Sequence, residues 1–188
     1  MKQRDLRSHW RSHWSPSGAN PKDRESFRRE CEGIAEAFEE EGAAAVARRY
    51  ALGPSRVQFE VKDPRGHQEF TRMLAEHSAM GSAFTMRGFQ KERPSLYDVR
   101  EEMARMNIPV VIMVGDEDHG AIEASIMMKR CIPTSGLVVF PKSGHTLNLE
   151  EPALFNSMLL EFIETVRAGA WTTRDPRSLA PTTTGMLD

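Results

Sequence analysis

Two short apolar runs, each closed by a chain breaker and then by polar residues, constrain this chain more than anything else in it. One stretch reads Ile-Pro-Val-Val-Ile-Met-Val-Gly-Asp-Glu-Asp-His from Ile108 to His119. The other reads Leu-Val-Val-Phe-Pro-Lys-Ser-Gly-His from Leu137 to His145. Val110 to Val114 shows no polar alternation, as expected of a strand covered on both faces by helices. In an open α/β sheet, ligands and catalytic groups gather outside the carboxyl ends of parallel strands. That rule puts Asp116, Glu117, Asp118 and His119 after one strand and Ser143, Gly144 and His145 after the other, at one edge of a sheet.

The surrounding sequence reads as helices. Ile122 to Arg130 has a helical pattern that Ile132-Pro133 ends. Pro94-Ser95-Leu96-Tyr97-Asp98 is a capping signature expected to open a helix reaching about Met106. After His145, Pro152 falls early in a last helix. Its apolar stripe, Phe155, Met158, Leu159, Phe162, Ile163 and Val166, should lie against the sheet. Helix, strand, helix, strand, helix makes this half an α/β layer.

Further upstream, Asn20-Pro21 opens a helix whose stripe is Phe27, Cys31, Ile34 and Phe38, running to about Glu41. Gly42 breaks it and Ala43 to Tyr50 follows as a second helix. Arg56 to Lys62, between turn signals at Gly53-Pro54 and Asp63-Pro64-Arg65-Gly66, is extended or helical. Phe70, Met73, Leu74, His77, Met80 and Phe84 share one helical stripe. On it His77 is expected to be packed or half-buried. Met73, Met80 and Met86 read as core filler, with lining of a substrate pocket as the alternative.

Pro-Val-Val-Ile-Met-Val-Gly-x-x-Asp, then Ser-Gly-His-x-x-x-x-Glu-x-Pro and an amphipathic helix, resembles the C-terminal part of the α/β-hydrolase fold family. The resemblance covers about Pro94 to Val166; Pro21 to Arg93 matches by position, as a helical cap. It implies an α/β class: a partial α/β-hydrolase fold, helical cap followed by the last two parallel strands and flanking helices. The expected organisation is an atypical, disordered tail over residues 1–19 and a cap-like region over 20–106. A core portion follows over 107–168, and a loose tail over 169–188.

In that family the triad runs in chain order nucleophile, acid, histidine. The resemblance makes Asp118 the acid and His145 the base, with His119 as a weaker candidate for the base. The expected nucleophile is none, because no Gly-x-Ser-x-Gly occurs in the chain. The nearest imitation, Glu76-His77-Ser78-Ala79-Met80-Gly81, has large residues where small ones are needed and lies in a helical pattern. The expectation is a truncated hydrolase of esters or related bonds that is inactive by itself. A non-catalytic small-molecule-binding or protein-interaction domain is the alternative. A metal site at Asp116, Glu117, Asp118 and His119 is the weakest reading, since adjacent residues rarely all point at one ion; no metal and no cofactor are expected.

Composition narrows the partners. A formal net charge of −2 over 188 residues, with 28% charged residues, offers no electrostatic case for nucleic acid or an anionic membrane. A small-molecule substrate or ligand is expected instead. No apolar run approaches the length of a membrane span, the N-terminus lacks the apolar core of a signal peptide, and a cytoplasmic location follows as the expectation. Cys31 and Cys131 read as small apolar residues, without a disulfide framework. Arg7-Ser8-His9-Trp10 repeats at once as Arg11-Ser12-His13-Trp14. His9 and His13 would share a helix face, yet no further ligands accompany them. Two strands alone leave an unpaired edge, which predicts self-association or pairing with a complementing N-terminal half.

Overall fold

The computed structural model of the protein describes residues 20–180 and 184. The expected tail over residues 1–19, with His9 and His13, lies outside the described residues, as do 181–183 and 185–188.

The helical region starts as its sequence directs. The Asn20 side chain accepts from the Lys22 backbone N–H at 3.0 Å, and Pro21–Asp23 forms a single 3-10 turn leading into α1 (Arg24–Glu41). Phe27, Cys31, Ala35 and Phe38 are the buried face of α1. Gly42, at φ 79, turns the chain into α2 (Ala43–Ala51). Ala35, Phe38, Ala43 and Val46 then close one core with Ala83. The ambiguous Arg56 to Lys62 segment is helical as α3 (Val57–Lys62), burying Phe59.

The single stripe from Phe70 to Phe84 is in fact two helices, α4 (Pro64–Ala75) and α5 (Ala79–Thr85). Ser78 decides this, because its hydroxyl accepts from the Gly81 N–H at 3.1 Å and starts a new helix. His77 sits in the turn between them and is exposed, not packed. The buried histidine is His67, whose Nε2 lies 2.7 Å from the Ala51 carbonyl oxygen. Met73 and Met80 are exposed, so they do not fill the core; Met86 packs against it. A π-helical turn, Met86–Gln90, then brings Arg87 onto Glu32 and Glu39 of α1, with Lys91 also on Glu32. Hydrogen bonds from these cations hold both carboxyls below their ordinary range.

At Ser95 the capping hydrogen bonds form: Tyr97 N–H donates to Ser95 Oγ at 3.1 Å, and Ser95 N–H to Asp98 Oδ2 at 3.0 Å. They close a turn, however, not the expected long helix. Val99 has non-helical backbone angles, and α6 spans only Arg100–Ala104.

β1 (Val110–Gly115) and β2 (Ser135–Phe140) pair in parallel, Val110 opposite Ser135 and Gly115 opposite Phe140. The crossover between them is α7 (His119–Cys131), three residues longer at its start and one at its end than its apolar pattern marked. Cover on the sheet is less complete than the unbroken apolar runs suggested. Ile112, Val114 and Phe140 are buried, Val111 and Met113 are half-buried, and Val139 is exposed. The last helix, α9 (Pro152–Arg167), has no fully buried residue, so its stripe is half-covered instead of pressed onto a sheet. Phe155 meets Phe140 at 6.4 Å between ring centroids, and Phe162 meets Trp171 edge-on at 4.8 Å. The reason is width: among the described residues the sheet has two strands, too narrow to cover a helix of 16 residues.

Beyond Gly169 the chain returns to the strands at two points. Trp171 Nε1 donates to the Thr134 carbonyl at 2.7 Å, and Arg174 N–H to that of Pro133 at 2.9 Å. Among the described residues no helix is long and apolar enough to cross a membrane.

Candidate functional site

The carboxyl ends of the two strands carry the candidate residues. After Gly115 the chain makes a tight turn, Asp118 N–H donating to the Gly115 carbonyl at 3.2 Å, and α7 begins at the next residue. Asp118 is 6% exposed and does not cap that helix with its side chain. Its Oδ2 lies 2.5 Å from His145 Nδ1. With Asp118 ionised, Nδ1 carries the proton and donates it, which leaves Nε2 as the basic nitrogen. The His145 side chain is 51% exposed, and its Nε2 has no hydrogen-bond partner among the described residues. An oriented imidazole with one edge held and the other open is suited to accept and return a proton.

A network of main-chain bonds fixes this pair. Glu117 N–H donates to the Ser143 carbonyl at 3.0 Å, Asp116 N–H to that of Phe140 at 3.0 Å, and Ser143 N–H to Asp116 Oδ1 at 3.2 Å. The acid turn and the histidine loop are thereby sewn together. Glu150, at the end of the short α8 (Leu147–Glu150), anchors the loop from the other side. Its Oε2 accepts from Gly144 N–H at 2.6 Å, and its Oε1 from the N–H and the hydroxyl of Thr146, both at 2.8 Å. The third support is α3 and the turn that leads into it: His145 N–H donates to the Ser55 carbonyl at 3.0 Å, and Gln58 Nε2 to Glu117 Oε2 at 3.0 Å.

Two glycines make these approaches feasible. A Cβ on Gly115 would stand 2.1 Å from the Ser143 carbonyl oxygen, and one on Gly144 would stand 2.6 Å from that of Ser55. Either position needs the bare backbone because a backbone carbonyl stands opposite, joined at Gly144 by the Gln58 side chain at 2.5 Å.

The structure thus brings Asp118 and His145 together and separates the rest of the acid cluster. Asp116 binds the Ser143 amide and Glu117 binds Gln58, so the cluster does not converge on an ion. Among the described residues no group of three or more His, Cys, Asp or Glu side chains is placed to hold a metal. His119 begins α7 and is exposed, while Asp118 faces His145. Ser143 does not serve as a nucleophile. It is fully buried, accepting from Lys62 Nζ at 2.8 Å and donating to the Pro141 carbonyl at 3.1 Å. The Glu76 to Gly81 stretch is a turn between helices, its serine engaged as a cap. Cys31 is fully buried, its thiol pushed up chiefly by burial, and both cysteines are free.

Glu150 was visible in the sequence only as one letter of the Ser-Gly-His-x-x-x-x-Glu-x-Pro spacing, without a role. Gln58 and Lys62 gave no signal, because their partners lie far away in the chain: 59 residues to Glu117, and 81 and 89 residues to Ser143 and Glu151.

No protein-family model matches the chain. In sequence it is similar to the AB hydrolase superfamily protein YisY of Bacillus subtilis, 32% identical over 106 residues, which is 55% of this chain and 38% of that protein. In structure it is similar to MenH from S. aureus, with a TM-score of 0.70 at 16% identity, covering 77% of this chain and 54% of that one. It is also similar to a thermophilic esterase from Thermogutta terrifontis, with a TM-score of 0.64 at 24% identity, covering 75% of this chain and 51% of that one. The matched segments span between 26% and 38% of the curated relatives. A parallel strand pair with an acid turn and a histidine loop at its carboxyl edge agrees with both kinds of likeness: the chain carries the C-terminal part of the α/β-hydrolase fold, a helical region followed by two parallel strands and their flanking helices.

Proposed function

We propose that Asp118 and His145 are the acid and base of a hydrolytic triad acting on an ester or related bond, and that these 188 residues alone do not turn over. The observation that carries the reading is the 2.5 Å contact between His145 Nδ1 and Asp118 Oδ2, with the other imidazole edge open. In such a triad His145 Nε2 takes the proton of the nucleophile and returns it to the leaving group. Asp118 fixes the tautomer and stabilises the imidazolium as it forms. The likeness to a protein described as an esterase supports the class of bond. Among the described residues no hydroxyl or thiol is hydrogen-bonded to His145 Nε2, and the serines nearest to elbow chemistry, Ser143 and Ser78, are buried or capping, which supports the absence of a nucleophile. The two free cysteines support a reducing, cytoplasmic setting.

The test is a serine-directed fluorophosphonate probe applied to the purified chain, together with turnover of p-nitrophenyl acetate. Labelling well below stoichiometric and hydrolysis at the buffer rate are expected. Stoichiometric labelling of one serine would refute the claim that the chain lacks its own nucleophile.

The outer edge of β1 supports a second part of the proposal. Neither strand has another partner among the described residues, and an unpaired strand edge is a template for pairing. The chain associates through this edge, either with a second copy or with a segment that brings the nucleophile. Sedimentation of the purified chain should show species larger than the 21.2 kDa monomer, and a compact monomer that unfolds cooperatively speaks against it.

A further inference from the structure

The helical region forms an open cleft of about 700 Å³ between α1, α4 and α5, within the ~300–1,000 Å³ typical of small-molecule sites. Its walls are chiefly apolar, with Ile34, Phe38, Phe70, Leu74 and Met86 among them, and among the described residues no carboxylate lines it. One full charge does: Arg56, which is 7% exposed.

The surroundings of Arg56 are unusual for a buried cation. A charge taken out of water needs a counter-charge or a full set of hydrogen bonds, and Arg56 has neither. Its Nη2 donates to the Tyr50 hydroxyl at 2.7 Å, while Nη1 makes only two long contacts, 3.4 Å each, with the carbonyl and hydroxyl oxygens of Ser55. Its Nε has no partner, and no ion pair reaches it from the described residues. The guanidinium carbon lies 5.0 Å from the Tyr50 ring centroid and 6.0 Å from that of Phe70. Aromatic faces hold the side chain in place without neutralising it.

We propose that this cavity binds a small amphipathic carboxylate, its apolar body against Phe38, Phe70 and Leu74 and its carboxylate on Arg56. A planar carboxylate accepts from a guanidinium by two parallel hydrogen bonds, supplying both the missing charge and the missing acceptors. An alcohol of the same body offers a single acceptor oxygen and no charge, and an ammonium offers neither. The inference rests on the cavity and not on hydrolysis, so binding is expected whether or not the chain turns anything over. The Ser55 carbonyl that Nη1 contacts also accepts from His145 N–H, which sets the cavity next to the Asp118–His145 pair.

Calorimetric titration of the full chain with 4-phenylbutyrate, 4-phenylbutan-1-ol and 4-phenylbutylamine tests this. The acid should bind at a single site about tenfold or more tighter than the alcohol, and the amine weakest, because a charge-assisted bidentate contact is at stake. Arg56→Gln should bring the acid down to the level of the alcohol and leave the alcohol unchanged. Should that variant fold poorly, Leu74→Trp fills the cavity while keeping the cation, and should abolish binding of both compounds. Methyl-labelled methionine spectra place the ligand: Met86 should shift, and Met127, packed beside α6, should not. Equal affinity for acid and alcohol, acid binding that survives both substitutions, or no saturable binding of the acid overturns the proposal.

Discussion

Replacing Gly115 by alanine is expected to unfold the site and to cost the protein about 3 kcal/mol or more of stability, at the upper end for overpacking. The new Cβ would meet the Ser143 carbonyl oxygen at 2.1 Å, the Gly144 carbonyl oxygen at 2.3 Å and the Ser143 carbonyl carbon at 2.6 Å. None of these is the end of a flexible side chain. Ser143 is held by its own carbonyl and amide to Glu117 and Asp116, and Gly144 is held by its amide to Glu150. Relief therefore requires the histidine loop to leave the acid turn, which separates His145 from Asp118. A shift of the urea midpoint measures the cost, and loss of the downfield Nδ1–H resonance of His145 reports the separation. The same substitution at Gly33, inside α1 with nothing within 4 Å of the added methyl, should instead stabilise by about 0.5–1 kcal/mol. If Gly115→Ala behaves like Gly33→Ala, the acid turn and the histidine loop do not touch as described.

The second large effect is expected at Glu150. It is 5% exposed and its two oxygens accept three hydrogen bonds, two of them from the backbone of the loop that carries His145. Glu150→Ala leaves the Gly144 and Thr146 amides without acceptors and should cost about 2–4 kcal/mol, since each buried donor left unpaired costs ~1–3 kcal/mol. Glu150→Gln keeps one oxygen but points an amide at donors, so it should fall between wild type and alanine. The decisive readout is again the His145 ring. A residue that only fills space would change stability and leave the imidazole tautomer alone. The expected result is that Glu150→Ala also broadens or removes the Nδ1–H signal at temperatures where the protein remains folded.

The Gly115 prediction concerns a contact between distant parts of the chain, and this marks where the sequence became silent; the Glu150 bonds reach back only four and six residues but depend on how the histidine loop folds. The order of helices and strands could be read because each depends on neighbours a few residues away. Asn20-Pro21 starts a helix by its own chemistry, Gly42 ends one, and the β-branched runs near Val110 and Val138 favour extended backbone wherever they occur. Misreadings arose where one local signal overrode another. The apolar stripe from Phe70 to Phe84 predicted one helix with one covered face, but the hydroxyl of Ser78 cut the helix in two, and Met73, His77, Met80 and Phe84 are exposed. The Ser95 and Asp98 cap formed as read, yet it closed a turn and left only five residues of helix after it.

Asp118 and His145 were legible because glycine, acid and histidine follow strands in a spacing that resembles a known family. Their contact was not, since a parallel register had to place Gly115 opposite Phe140 before the two loops could meet. The sequence by itself determined most of the elements, the sheet edge that carries Asp118 and His145, and the choice of these two as the pair proposed for acid and base. Only the tertiary structure decided that Asp116 and Glu117 serve the backbone and Gln58, and that Arg56 lies buried in an apolar cavity without a counter-charge among the described residues. The physical reason is range: backbone preference acts between neighbours, whereas burial and electrostatic pairing depend on what the whole fold brings within a few ångströms.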